Sequence, residues 1–240
     1  MEILDIRPWS DENRQILSNY IKENFSGNIQ ILEAGCGQAW DLNLDGLEYE
    51  ITGVDLSEDA LKLRKNQQND LDKIIVGDLR TVELGKDNYD VIYSSYVLEH
   101  IDGAEQVLDN FFQWLKPKGV LILRIPDAET VYGFLSKQSP FWLHVFYKKY
   151  IQGKPHAGEP GYDPFPAFFD PVVSSSGMQK YCLKHNLPIK IAYSYAVTHP
   201  EIMFQSFPNL GKFVYKMIGI LSFGKLASNR NDIVFVIEKF

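Results

Sequence analysis

Cysteine is nearly absent. Two thiols in 240 residues, Cys36 and Cys182, are too few for a disulfide framework, and Cys36 lies inside a glycine turn. Both are read as reduced thiols of a cytoplasmic protein. Basic residues are in deficit, 24 Lys and Arg against 31 Asp and Glu, and a net charge of -7 removes the broad electropositive surface that nucleic-acid binding needs. No apolar run is long enough to span a bilayer, since the longest, Phe213 to Phe223, is broken by Lys216. Met1 to Asp5 show neither a basic region nor a following apolar stretch, so no signal peptide is expected. Internal repeats and low-complexity tracts are missing too. What remains is an ordinary balance, 45% hydrophobic and 23% charged, enough to bury a full core in a single domain, 1–240.

The informative stretch is Ile31-Leu32-Glu33-Ala34-Gly35-Cys36-Gly37-Gln38-Ala39-Trp40, an apolar strand that breaks into a glycine turn begun by an acid. Glycines at 35 and 37 let backbone amides approach a ligand in conformations that a Cβ resists. A dinucleotide fingerprint would need a third glycine where Trp40 stands, and Glu33 would face a pyrophosphate badly, which counts against an oxidoreductase. A carboxylate there suits a cationic or hydroxyl-bearing group.

Three more strands follow, each closing on polar residues. Tyr49 to Val54 ends at Asp55, about twenty residues past the glycine turn, where α/β nucleotide sites hold a ribose. Lys73 to Gly77 ends at Asp78-Leu79, and Tyr89 to Tyr93 ends at Ser94-Ser95. Groups at the carboxyl ends of parallel strands converge on one crevice. Asp90, at the opposite end of its strand, is read as structural, and Trp40 as either stacking on a ligand or wedging its loop.

Taken together, Glu33/Gly35/Gly37, Asp55, Asp78-Leu79 and the run Asp90 to His100, with its "LEHI"-like ending, resemble the class I S-adenosylmethionine-dependent methyltransferases, in the type 11-like, small-molecule branch. The resemblance covers roughly residues 28–126. It implies an α/β, Rossmann-like fold: a seven-stranded, mostly parallel sheet with helices on both faces and an antiparallel final strand. It implies S-adenosyl-L-methionine as cofactor, with Glu33 toward its amino group, Gly35 and Gly37 giving backbone access, Asp55 on the ribose diol, Asp78 and the Leu79 amide at adenine, and Ser94 near the methionine moiety. Ala39 stands where the family often has a third glycine, so altered loop packing is expected there.

A base is required only for a hydroxyl or acidic-carbon acceptor. His100 is the candidate, with Glu99-His100 as a brace for the following helix the competing reading; His144 and His156 are weaker candidates. No metal spacing is present. Outside the four motifs, a capped helix is expected over about 10–25, and further strands at Val120 to Ile125, Pro188 to Tyr195 and Asp232 to Phe240. Residues 127–172 are rich in aromatics, read as a lid over the crevice or, alternatively, a satellite core. Within an amphipathic insertion of about 200–230, Leu210, Phe213, Val214, Met217 and Leu221 recur at helical spacing. That face is expected to pack on the domain, with lipid or partner contact as the other reading. The function these features imply is methyl transfer to a small-molecule or lipid-linked acceptor, O-methylation first, with possible peripheral membrane contact. A catalytically silent module acting as a partner subunit is the alternative.

Overall fold

The computed structural model describes residues 1–240 apart from 7–9, 38, 39, 160, 161, 163 and 197–206. Position 39, where altered packing was expected, lies outside the described residues, as does the start of the 200–230 insertion. The elements are β1 (Glu2–Leu4), α1 (Asp11–Asn24), β2 (Asn28–Ala34), β3 (Glu48–Asp55), α2 (Glu58–Gln67), β4 (Lys73–Val76), β5 (Tyr89–Ser95), α3 (Ala104–Trp114), β6 (Leu115–Pro126), α4 (Val131–Gln138), α5 (Phe141–Phe146), α6 (Ser175–Lys184), β7 (Ile189–Ala196), α7 (Pro208–Leu221) and β8 (Arg230–Glu238).

One sheet runs β1-β7-β8-β6-β5-β2-β3-β4. Every pair is parallel except those made by β8, which is antiparallel to both β6 and β7. All seven expected strands are present, and the short β1 adds an eighth at one edge. Strand order reverses between β2 and β5, and open α/β sheets bind ligands outside the carboxyl ends of strands at that reversal.

The inner strands read as near-continuous apolar runs because both faces are covered. Leu17 and Ile21 of α1 pack on Ile29, Ile31, Val91 and Val120 on one face. Val107, Leu108 and Phe111 of α3, with Met178 of α6, pack on Leu32, Ile92 and Leu121 on the other. Serine and threonine caps start the helices: the side chains of Ser10, Ser57, Thr130 and Ser174 accept from the N–H three residues on. α3 has no such residue. Its first donors, Gly103 N–H and Ala104 N–H, go 2.9 and 2.8 Å to Asp170 Oδ2, a cap supplied from the far end of the aromatic segment.

Two outcomes differ from expectation. The aromatic segment divides: Phe169 and Val172 join the main core, whereas α5 and the turn after it bury no side chain fully. The apolar positions of α7 do not pack on the domain. Leu210, Phe213, Met217 and Leu221 are exposed, and the face turned inward is Gly211, Tyr215 and Gly219, with Val214 and Ile218 half-buried. Two of the three buried residues are glycines, which an apolar count along the sequence does not register.

Candidate active site

The glycine turn hangs from β3. Gly35 N–H and Cys36 N–H both donate to Val54 C=O, at 2.8 and 3.1 Å. Gly35 and Gly37 both have positive φ, +71° and +53°, but for different ends. A Cβ on Gly35 would lie 2.3 Å from Val97 Cγ2, so this glycine admits a neighbour of the chain's own core. A Cβ on Gly37 would meet nothing within 4 Å, so this one faces open space. Gly37 N–H donates 2.9 Å to Asp55 Oδ2, and Ser57 N–H donates 2.8 Å to Asp55 Oδ1. Asp55 therefore does not cap α2, a job done by Ser57. Each of its oxygens has a lone pair left for a hydroxyl donor. Beside it Leu56 is 72% exposed, an apolar side chain left at the rim of the crevice.

Glu33 is buried and faces inward. Arg64 Nη2 of α2 lies 2.7 Å from its Oε2, while Arg64 Nη1 donates 2.8 Å to Cys36 C=O and Nε donates 2.9 Å to Asp70. A guanidinium only 1% exposed thus ties the strand end, the glycine turn and the loop after α2 together. Burial pushes the Glu33 carboxyl up to about 8 against the pull of Arg64. Burial likewise pushes the Cys36 thiol up, so it is no nucleophile.

Asp78 is clasped by Arg80, whose Nη2 and Nε donate at 2.5 and 3.0 Å and whose backbone N–H donates at 2.9 Å. These hydrogen bonds hold its carboxyl below the usual range and occupy most of its acceptor sites. Leu79 is buried, with its C=O accepting from Asn110 Nδ2 at 2.9 Å. Ser94 is 1% exposed and its hydroxyl has no partner among the described residues; the same is true of the Ser95 hydroxyl and the Trp40 indole N–H. Trp40 sits edge-on to Tyr93, ring centroids 5.5 Å apart, which wedges the loop against β5. Asp90 accepts from Gln30 N–H at 2.8 Å and Lys116 Nζ at 2.7 Å, far from the crevice, as a structural acid should.

Past β5, residues Leu98–His100 form a single tight turn. His100 Nδ1 lies 2.7 Å from Pro166 C=O, and its ring meets Phe165 edge-on. A carbonyl only accepts, so Nδ1 carries the proton and Nε2 keeps its lone pair. Burial lowers the pKa of the imidazole, favouring the neutral ring. Glu99 is 4% exposed, with Oε1 3.8 Å from His100 Nε2 and Oε2 without a partner among the described residues; burial raises it to about 8. Its C=O accepts from Phe168 N–H and Phe169 N–H at 2.8 and 3.3 Å. The aromatic segment is thus fastened to the Glu99-His100 turn. His144 contacts Ser136 C=O and His156 pairs with Glu159, both outside this cluster. Among the described residues, no three His, Cys, Asp or Glu side chains gather as a metal would require.

Residues 32–123 match the methyltransferase domain family. The chain is 31% identical over 120 residues to malonyl-[acyl-carrier protein] O-methyltransferase of Bacillus cereus, and 27% identical over 135 residues to phosphoethanolamine N-methyltransferase 1 of Arabidopsis thaliana. Those stretches are 48% and 51% of this chain but only 44% and 27% of the relatives, so the chain spans less than half the length of either. A solved S-adenosylmethionine-dependent methyltransferase from Methanosarcina mazei superposes with a TM-score of 0.56, covering 99% of both chains at 16% identity, a likeness of fold. Residues 32–123 therefore carry a methyltransferase domain, and the chain shares the fold of solved S-adenosylmethionine-dependent methyltransferases.

In this domain the turn at Gly37 meets the strand-end acid Asp55, and two groups at the site escaped the sequence reading. Arg64 is one. A second is a buried cluster at the carboxyl ends of β5 and β6: Arg124 Nη1 binds Asp41 and donates 2.8 Å to the Tyr93 hydroxyl, which in turn donates 2.7 Å to Asp41 Oδ1. It locks the loop after the glycine turn to the two central strands. Glu99, read from the sequence as a brace, also has an oxygen without a hydrogen-bond partner among the described residues. Charge in an apolar strand, as at Arg124, and an uncompensated arginine on a short helix, as at Arg64, are the signals available in sequence.

Proposed function

We propose that this protein binds S-adenosyl-L-methionine and transfers its methyl group to a hydroxyl of a small-molecule or lipid-linked acceptor. The observation that carries the reading is the hydrogen bond from Gly37 N–H to Asp55, which joins an open glycine turn to a strand-end acid where the sheet order reverses. In this reading Asp55 takes the ribose hydroxyls on its remaining lone pairs, with the exposed Leu56 offering an apolar surface beside them. Gly37 leaves room for the ligand, and the free hydroxyl of Ser94 faces the methionine end. Asp78 and the Leu79 amide serve adenine, Asp78 while also clasped by Arg80. Glu33 and Gly35 act by holding the turn, Glu33 through Arg64.

The bound cofactor supplies an electrophilic methyl group on a sulfonium that is its own leaving group. The chain's work is then alignment, exclusion of water and management of one proton. His100 Nε2 accepts the proton of the acceptor hydroxyl, its tautomer fixed by Pro166 C=O and its neutral form favoured by burial. An amine acceptor would need no such base, so the arrangement favours oxygen over nitrogen. The aromatic segment, bonded to the same turn through Glu99 C=O, covers the acceptor side. Buried free thiols agree with a cytoplasmic setting.

Calorimetric titration with S-adenosylhomocysteine tests this. Micromolar binding is expected, weakened more than tenfold by Asp55→Ala, with no binding of NAD. Affinity unchanged within twofold would remove Asp55 from the ribose. Tight binding with no turnover on any acceptor would favour the silent module.

A further inference from the structure

Many of the exposed large apolar side chains fall in two segments. On α7, Leu210, Phe213, Met217, Ile220 and Leu221 recur at i, i+3, i+7, i+10 and i+11, one stripe of a 3.6-residue helix, and Phe213, Ile220 and Leu221 are 60%, 59% and 70% exposed. The inward stripe is Gly211, Tyr215 and Gly219, and Lys212 and Lys216 lie between the two. On α5 and the turn after it, Trp142 and Tyr150 are 67% and 68% exposed. The segments adjoin: α4 packs on α7, and Tyr132 of α4 lies within electrostatic reach of both Tyr147 and Tyr215. Monomeric proteins rarely leave so much contiguous apolar surface open.

Charge identifies what covers it. Residues 131–158 and 207–228 contain seven lysines and neither Asp nor Glu, leaving 17 basic against 31 acidic residues in the rest of the chain. An acidic protein has gathered an acid-free, lysine-bearing border around its apolar patch. A second copy of the same face would set lysine against lysine in a two-fold contact. A bilayer with anionic headgroups fits both properties: acyl chains take the aromatic and aliphatic groups, while lysines reach up to the phosphates.

We propose that α7 and the segment 141–151 together form a docking surface for an anionic lipid bilayer. The surface borders the lid of the candidate active site, so it would hold the acceptor side against the membrane; that purpose rests on the methyl-transfer reading, but the binding itself does not.

The test is co-sedimentation of the full chain with phosphatidylcholine vesicles and with vesicles that also contain phosphatidylglycerol, alongside calorimetry with S-adenosylhomocysteine. Binding that requires phosphatidylglycerol is expected. It should fall about tenfold or more in Phe213→Ser/Ile220→Ser and in Lys149→Glu/Lys216→Glu, while cofactor-product affinity stays within twofold of the parent. Two outcomes overturn the proposal. One is a folded protein that binds S-adenosylhomocysteine but not vesicles, or whose vesicle binding both double variants leave unchanged. The other is a concentration-dependent dimer, seen by light scattering, that Phe213→Ser/Ile220→Ser dissociates, which would give the surface to a second copy. Failure of the methyltransferase reading is seen separately, as loss of S-adenosylhomocysteine binding by the parent protein.

Discussion

Replacing Glu99 by glutamine should remove much of the protein's loss of stability between mildly acidic and alkaline pH. Glu99 is buried, one of its oxygens has no partner among the described residues, and the charge of Asp232 acts on it; burial is the larger cause of a carboxyl raised from 4.5 to about 8. Below pH 4.5 the folded and unfolded states both hold the proton. As pH rises through the interval the unfolded chain releases it while the folded chain keeps it, so stability falls until the folded carboxyl ionises near pH 8. At about 1.4 kcal/mol for each pH unit, the interval from 4.5 to about 8 sets a ceiling of about 5 kcal/mol. Relaxation around the ionised group brings the expected effect to about 2–4 kcal/mol. Glutamine keeps the shape and a donor, so the variant should match the parent within about 1 kcal/mol near pH 5 and exceed it near pH 8.5. Urea denaturation of both proteins at the two pH values measures this. The raised carboxyl of Glu33 contributes to both proteins and cancels in the difference. Parallel pH profiles for parent and variant would refute the assignment of Glu99 as a buried acid held neutral.

Arg64→Met should cost about 3–5 kcal/mol, because it strands Glu33 and Cys36 C=O in the interior, and adding Glu33→Gln should recover part of that loss in a denaturation cycle. Gly35→Ala should destabilise the fold by about 2 kcal/mol or more, driven by the collision with Val97. Gly37→Ala, with the same backbone strain and open space, should cost only about 1 kcal/mol yet still impair S-adenosylhomocysteine binding, as calorimetry and thermal melts together would reveal. His100→Gln should lower kcat about a hundredfold with product affinity unchanged. In the parent, the acid limb of the rate profile should fall below the ordinary histidine value of 6.5, since burial lowers the imidazole.

The sequence was most legible where chemistry depends on chain order. Strand ends at Ala34, Asp55, Val76 and Ser95 follow from apolar runs stopping at polar residues, and parallel packing brings those ends to one edge. The caps at Ser10 and Ser174 are equally local, made three residues away. What escaped depends on contacts across the chain. Asp170 caps α3 from 66 residues away, and Arg124 reaches Asp41 across 83, distances for which a single sequence holds no ruler. The orientation of α7 was missed for another reason. Its strongest apolar stripe is not its packing stripe: the inward face is Gly211, Tyr215 and Gly219, and a hydropathy pattern gives glycine no weight.

The fastening of the aromatic segment ties the candidate base to the frame of the fold. Pro166 C=O fixes the imidazole tautomer of His100, Phe168 and Phe169 close onto the carbonyl of Glu99, and Asp170 supplies the first donors of α3 with their acceptor. Four residues of the stretch 166–170 thus pin the ring, the turn and the helix start together. With Phe169 buried in the main core and Asp170 holding the first turn of α3, this strap belongs to the fold itself, and the contact that sets the imidazole tautomer is anchored as firmly as the helix start beside it.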